Sequence, residues 1–205
     1  TSFWTPFIYE RYSKNPDDLV FYKKANDYLS LIFFLIGITI LATRNIIIIL
    51  LGEKYYDSLF IVPMLIFVPI MYLISETTMM GIGFKKKSKY FLYISIIVAI
   101  FNIVGNILLV PKYGAKGAAI STGISYIIFF SFRTYFSIKL INFGFNLKRI
   151  YTVIALLLCY ALYLSFYNNL KYTILLGVLL IILVLLIYKS VLLELKQKFI
   201  KIRSE

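Results

Sequence analysis

The sequence predicts an all-α fold, a polytopic membrane bundle of about six transmembrane helices. Three observations predict it. Hydrophobic residues make up 61% of the 205-residue chain and charged residues 15%, against roughly 45–50% and 25% in globular domains. The apolar residues gather into six runs long enough to cross a bilayer. The 22 Lys and Arg, set against 9 Asp and Glu for a net charge of +13, punctuate those runs instead of covering a polar surface. A soluble fold of this composition would expose aggregating apolar patches of several hundred Å². Nucleic-acid binding is excluded as well, because it places positive charge on a soluble polar face.

The elements follow in order. Residues 1–9 open on Thr1, without Met, and read as the end of a preceding transmembrane helix, with Trp4 and Tyr9 suited to an interface. The order of regions that makes a signal peptide is absent. The chain is therefore expected to be the C-terminal part of a longer protein. In residues 10–27, Asn15-Pro16-Asp17-Asp18 makes a turn and a helix start. A short cytoplasmic interfacial helix is expected there.

A crossing needs roughly 20 helical residues. The runs that qualify are 28–51 (interrupted at Arg44-Asn45), 58–84, 90–110, 115–138, 150–167 and 172–188. Lipid offers no partner to unpaired backbone groups, so each should be a helix. Residues 28–140 thus form a four-helix part of a bundle and 141–190 an additional helix pair. Pro63 and Pro69 free backbone carbonyls and should bend the second span. The tail, 191–205, is basic and alternates with apolar positions, suiting a helix end on anionic headgroups.

Basic residues orient the spans. With alternating sides, 17 of the 22 cations fall on one side, among them Lys85, Lys86, Lys87, Lys89, Lys139, Lys148 and Lys189. Arg44, Lys54, Lys112, Lys116 and Lys171 fall on the other. The richer side should be cytoplasmic, with the C-terminus on it.

Chemistry is bounded by what is missing. The chain has no His, so neither a His-dependent triad nor a His-ligated metal is available within it. Its one cysteine, Cys159, sits in an apolar run and reads as a small hydrophobe. No catalytic residue, metal or cofactor is expected. Candidate site residues are instead the polar groups inside spans, which are costly there. Glu76 lies nine residues before Lys85, about 13 Å along a helix. It can carry a proton, pair with Arg133, or serve as a plain structural group. Arg133 can equally snorkel to the headgroups six residues away at Lys139. Arg44 should lie near the outer surface, where it can meet a phosphate. Asn102 and Asn106, spaced i,i+4, share a face and either bond a neighbouring helix or wall a polar cavity. Gly117, Ser121 and Ser125 form a small-residue row suited to close packing.

The stretch Asn102-Ile-Val-Gly-Asn106-Ile-Leu-Leu-Val-Pro111-Lys-Tyr-Gly114-Ala-Lys-Gly117-Ala-Ala-Ile-Ser121-Thr resembles bacterial polysaccharide flippases. These are the Wzx-type O-antigen and capsule transporters of the MATE-like flippase superfamily. Trp4-Thr-Pro6, Ile47-Ile-Ile-Leu-Leu-Gly52-Glu-Lys-Tyr55 and Gly83-Phe-Lys-Lys-Lys-Ser-Lys-Tyr90 fit the same pattern in the same order, so the resemblance covers about residues 1–140. It implies the second half of a two-bundle fold, with a missing N-terminal half as partner. It also implies a non-enzymatic transporter of the bacterial inner membrane. The cargo would be a polyprenyl-pyrophosphate-linked oligosaccharide, flipped from the cytoplasmic to the outer leaflet for O-antigen, capsule or exopolysaccharide synthesis. Membrane lipids and polysaccharide polymerase machinery are the other partners implied. A MATE-like drug or cation antiporter and a non-catalytic membrane subunit are the alternatives. A membrane glycosyltransferase or acyltransferase would want a His or Asp constellation or a large outer loop, and neither is present.

Overall fold

The structure, a computed structural model, describes residues 4–203, and side chains over residues 6–198. The ring of Trp4, the side chains of Lys201 and Arg203, and residues 1–3 and 204–205 lie outside the described residues. The described chain is an all-α bundle: α1 (Trp4–Lys14), α2 (Leu19–Ala42), α3 (Arg44–Leu51), a short turn of 3-10 helix (Glu53–Tyr55), α4 (Ser58–Leu65), α5 (Phe67–Thr78), α6 (Met80–Phe84), α7 (Lys89–Tyr113), α8 (Ala115–Leu140), α9 (Leu147–Phe166), α10 (Leu170–Ile187) and α11 (Lys189–Arg203). Six stretches are long and apolar enough to cross a membrane: α2, α4 with α5, α7, α8, α9 and α10. The protein is a multi-pass membrane protein.

Two expectations at the N-terminal side need correction. The first helix does not end at Tyr9 but runs on to Lys14. No separate interfacial helix follows it. Asp18 caps α2, its side chain accepting from the Phe21 amide at 3.4 Å, and the helix continues unbroken from Leu19 to Ala42. The reason is an amphipathic stripe reaching well below Tyr28. Tyr22, Asn26, Asp27, Ser30, Leu31, Phe34, Ile38 and Leu41 recur at helical spacing and are all buried. Arg11 donates to Asp18 at 2.5 Å across the turn, and that hydrogen bond holds the Asp18 carboxyl below its ordinary value.

The second span is broken, as its prolines foretold, but in three pieces. One break falls at Ile66, three residues before Pro69, and another at Met79. The α7–α8 link is tighter than the expected Pro-x-x-Gly turn. α7 carries Pro111 in its last turn and reaches Tyr113, so Gly114 alone makes the reversal. Its φ of +55° and ψ of −132° suit a residue without Cβ.

α8 is the hub. It packs against α7, α5, α4 and α6, while α2 packs on α5 and α10, and α9 on α4 and α10. The small-residue row serves this packing. A Cβ on Gly117 would lie 2.4 Å from the Leu109 carbonyl oxygen of α7, and beside the row one on Gly123 would lie 2.5 Å from the Met64 carbonyl oxygen of α4. The main core joins Phe34 and Ile38 of α2, Phe67 and Met71 of α5, Phe130 of α8 and Leu157 of α9. A second cluster around Ile8, Tyr22, Met80 and Phe143 closes the end that carries Lys85–Lys89, called the basic end below. There Tyr12 stacks on Phe84 with ring centroids 3.9 Å apart. α7 lies at the edge, with Ile94 its only buried residue and Ile96, Ile100, Ile103 and Ile107 facing outward. In lipid an apolar outward face costs nothing. Cys159 is exposed on the surface of α9, in keeping with the hydrophobe reading.

Candidate functional site

The break at Met79 ends a polar run. Ser75, Glu76, Thr77 and Thr78 close α5, and all four are buried within an otherwise apolar span. Each finds a partner. Thr77 accepts from the Asn26 amide of α2 at 2.7 Å and donates to the Ile74 carbonyl. Thr78 and Thr134 of α8 share a hydrogen bond of 2.7 Å. One turn on, the Ser137 hydroxyl accepts from the Gly81 amide at 2.9 Å, serving the start of α6.

Arg133 of α8 enters this layer. Its Nη1 donates to Ser75 Oγ at 2.6 Å and to Glu76 Oε1 at 2.9 Å, and Nη2 meets the sulfur of Met79. The guanidinium also lies over Phe129 at 4.8 Å and Phe91 at 5.5 Å. Arg133 is 6% exposed and Glu76 7%. Of the alternatives open for Arg133, the pair forms, and snorkelling to the headgroups does not. Desolvating two charges is expensive, and only close pairing with further hydrogen bonds offsets it. Aromatic faces add cation–π attraction on the remaining side. Among the described residues none accepts from Arg133 Nε.

Arg44 lies elsewhere and does something else. Thr43 separates α2 from α3, placing Arg44 at the end opposite Lys85–Lys89. The side chain turns inward and is 1% exposed. Pro63 has no amide hydrogen, so the Leu59 carbonyl four residues earlier lacks its helical donor. Arg44 Nη1 supplies one at 2.6 Å. The same nitrogen donates to the Leu164 carbonyl at 2.6 Å, and Nη2 to the Tyr167 carbonyl at 2.9 Å, satisfying the C-terminal end of α9. The expected outward contact with a phosphate is thus replaced by a three-helix staple.

Asn102 and Asn106 sit at the α7–α8 seam. Asn102 donates to Thr122 Oγ1 at 3.3 Å and its carbonyl accepts from Ser121 at 2.9 Å. Asn106 donates back to the Asn102 carbonyl and side chain. Interhelical bonding accounts for Asn102, and Asn106 supports it from within α7. Thr122 precedes Arg133 by 11 residues on α8, or roughly 16 Å, so the structure does not bring the asparagines to the ion pair. Only Glu76 and Arg133 come together.

Sequence reasoning missed a second buried pair. Asp27 of α2 accepts from Arg149 Nη1 of α9 at 3.1 Å and from the Asn146 amide at 2.9 Å. Arg149 Nη2 reaches Ser190 of α11 at 2.9 Å, and its guanidinium covers the Tyr188 ring at 5.0 Å. Ser30 and Tyr188 share a hydrogen bond of 2.9 Å beside it. Asp27 is 7% exposed. The signal was its place on the buried stripe with Ser30 and Leu31, rather than its place near a basic loop. Nearby, Lys24 pairs with Glu194 of α11, and that hydrogen bond holds the Glu194 carboxyl below its ordinary value.

No protein-family profile matches the chain, and no solved structure matches it. One curated relative is 44% identical over 69 residues: the "Uncharacterized membrane protein MJ1068" of Methanocaldococcus jannaschii. The match takes in 34% of this chain and spans only 13% of the relative's length. It agrees with a membrane protein and carries no activity.

Proposed function

We propose that this chain is part of a non-enzymatic membrane transporter that flips a polyprenyl-pyrophosphate-linked oligosaccharide between leaflets for surface polysaccharide synthesis. The basic end faces the cytoplasm, the C-terminus lies with it, and the membrane is the bacterial inner membrane. The observation that carries the reading is the Arg133–Glu76 pair, buried in a span against the break at Met79. A charged pair at a helix discontinuity is a feature of substrate and coupling sites in transporters. The resemblance of the α7–α8 stretch to polysaccharide flippases supplies the substrate class. A cycle that loosens the Met79 break frees the guanidinium, with its open Nε–H, for pyrophosphate oxygens. An N-terminal half completes the cavity, and polymerase machinery receives the product.

The antiporter alternative gains one observation, the second buried acid Asp27. That acid is engaged by both Arg149 and Asn146, so it favours a structural role over a free proton carrier. The test is export of lipid-linked sugar in cells lacking the protein, complemented with the full-length protein or its Glu76→Gln and Arg133→Ala variants. Loss of export on deletion supports the reading. Full export after deletion would sink it, whereas normal export by both variants removes the site assignment alone.

A further inference from the structure

α8 and α9 are consecutive and share α4 as a neighbour, but beyond it they diverge, α8 to α7 and α5 and α9 to α10. Between their basic-end halves lies an open groove of about 460 Å³. Its walls are Ser131, Thr134, Tyr135 and Ile138 from α8, and Leu147 and Tyr151 from α9, with Lys139 at its mouth. Toward the membrane centre it is closed by the Tyr151 hydroxyl, which donates to Ser131 at 2.9 Å, and by the Phe130–Tyr151 ring contact. From Ser131 to Lys139 is eight residues, or roughly 12 Å, so the groove runs about two turns along the last part of α8.

We propose that this groove holds an anionic phospholipid of the leaflet at the basic end, its phosphate on Lys139 and its first methylenes along Ile138 and Leu147. Charge complementarity selects that occupant. Among the described residues no acid lines the groove, and the adjoining cleft, which shares Leu147, adds Lys148, while Arg149 beside it is already paired with Asp27. Tyr135, 59% exposed, offers a phenol at the depth of a glycerol ester. A gap between two spans that opens to lipid fills with lipid, and a lysine at its rim favours an anionic one. The bound lipid would wedge α8 against α9 and hold the Arg133 helix in place.

The test is photocrosslinking from p-benzoylphenylalanine in place of Tyr135, in the full-length protein reconstituted into vesicles of phosphatidylglycerol and phosphatidylcholine. Vesicles with both lipids in both leaflets make the result independent of orientation and of transport. The crosslinked lipid should be phosphatidylglycerol well above its share. Lys139→Gln should cut that preference about five-fold, the size expected for one lysine at an anionic surface. Crosslinking in proportion to composition, or a preference untouched by Lys139→Gln and Lys148→Gln together, would overturn the proposal. So would capture of added polyprenyl phosphate in place of phosphatidylglycerol, which would assign the groove to cargo.

Discussion

The carboxylate of Glu76 on α5 lies 2.9 Å from the guanidinium of Arg133 on α8, and both side chains are more than nine-tenths buried. The pair ties the hub helix to the polar run just before the Met79 break. Removing one partner strands the other. Arg133→Gln or Glu76→Leu should each cost about 3–5 kcal/mol, as for other buried pairs. The double variant Glu76→Leu/Arg133→Met should be more stable than either single. Denaturant unfolding in micelles measures all three. Additive losses would show that the two charges are not coupled.

Arg44 repairs the gap that Pro63 makes in α4, which gives a rescue experiment. Arg44→Ala should lower stability by roughly 4–5 kcal/mol, the low end for three hydrogen bonds from a charged group to carbonyls at about 1.5–3 kcal/mol each. Adding Pro63→Ala restores an amide hydrogen to the Leu59 carbonyl. It should return about 1 kcal/mol in the Arg44→Ala background and less beside the intact arginine. Thermal unfolding of the four proteins checks this.

Asp27 anchors the start of α9 and, through Arg149 and Ser190, the start of α11. Asp27→Asn should leave Arg149 without its charge partner and loosen α11 before the rest. Hydrogen exchange should quicken first in residues 189–198 while the α8 amides stay protected. Uniform quickening would contradict a local anchor.

The Lys24–Glu194 pair predicts an acid-sensitive attachment of the same helix. The folded Glu194 carboxyl is held below its ordinary 4.5, chiefly by the Lys24 hydrogen bond. A depressed carboxyl contributes its stability fully above the unfolded value and loses it as pH falls through the folded one. Mobility of a spin label on α11 should thus be flat near neutral pH and rise only below about 4.5. Glu194→Gln should show the raised mobility at every pH.

Much of this was legible in the residues. Spans needed only apolar run length, and Glu76 announced itself as an acid with no loop to sit in. The asparagines and the row of Gly117, Ser121 and Ser125 were readable as seams because i,i+4 spacing places each set on one face. Direction was harder. Nothing in Arg44-Asn45 says that the guanidinium turns inward, because that depends on where Pro63 and the end of α9 fall in three dimensions. Asp27 hid for a related reason. Its neighbours Lys23 and Lys24 placed it in an expected interfacial helix at the membrane surface, whereas the buried stripe of α2 makes them part of one continuous helix from Leu19.

The most direct test of the central claim is reconstitution. The full-length protein in vesicles, given a fluorescent polyprenyl-pyrophosphate-linked sugar in one leaflet, should deliver it to the other faster than empty vesicles do. Arg133→Ala and Glu76→Gln should each slow that delivery with the protein still folded. Transfer no faster than in empty vesicles would contradict the account.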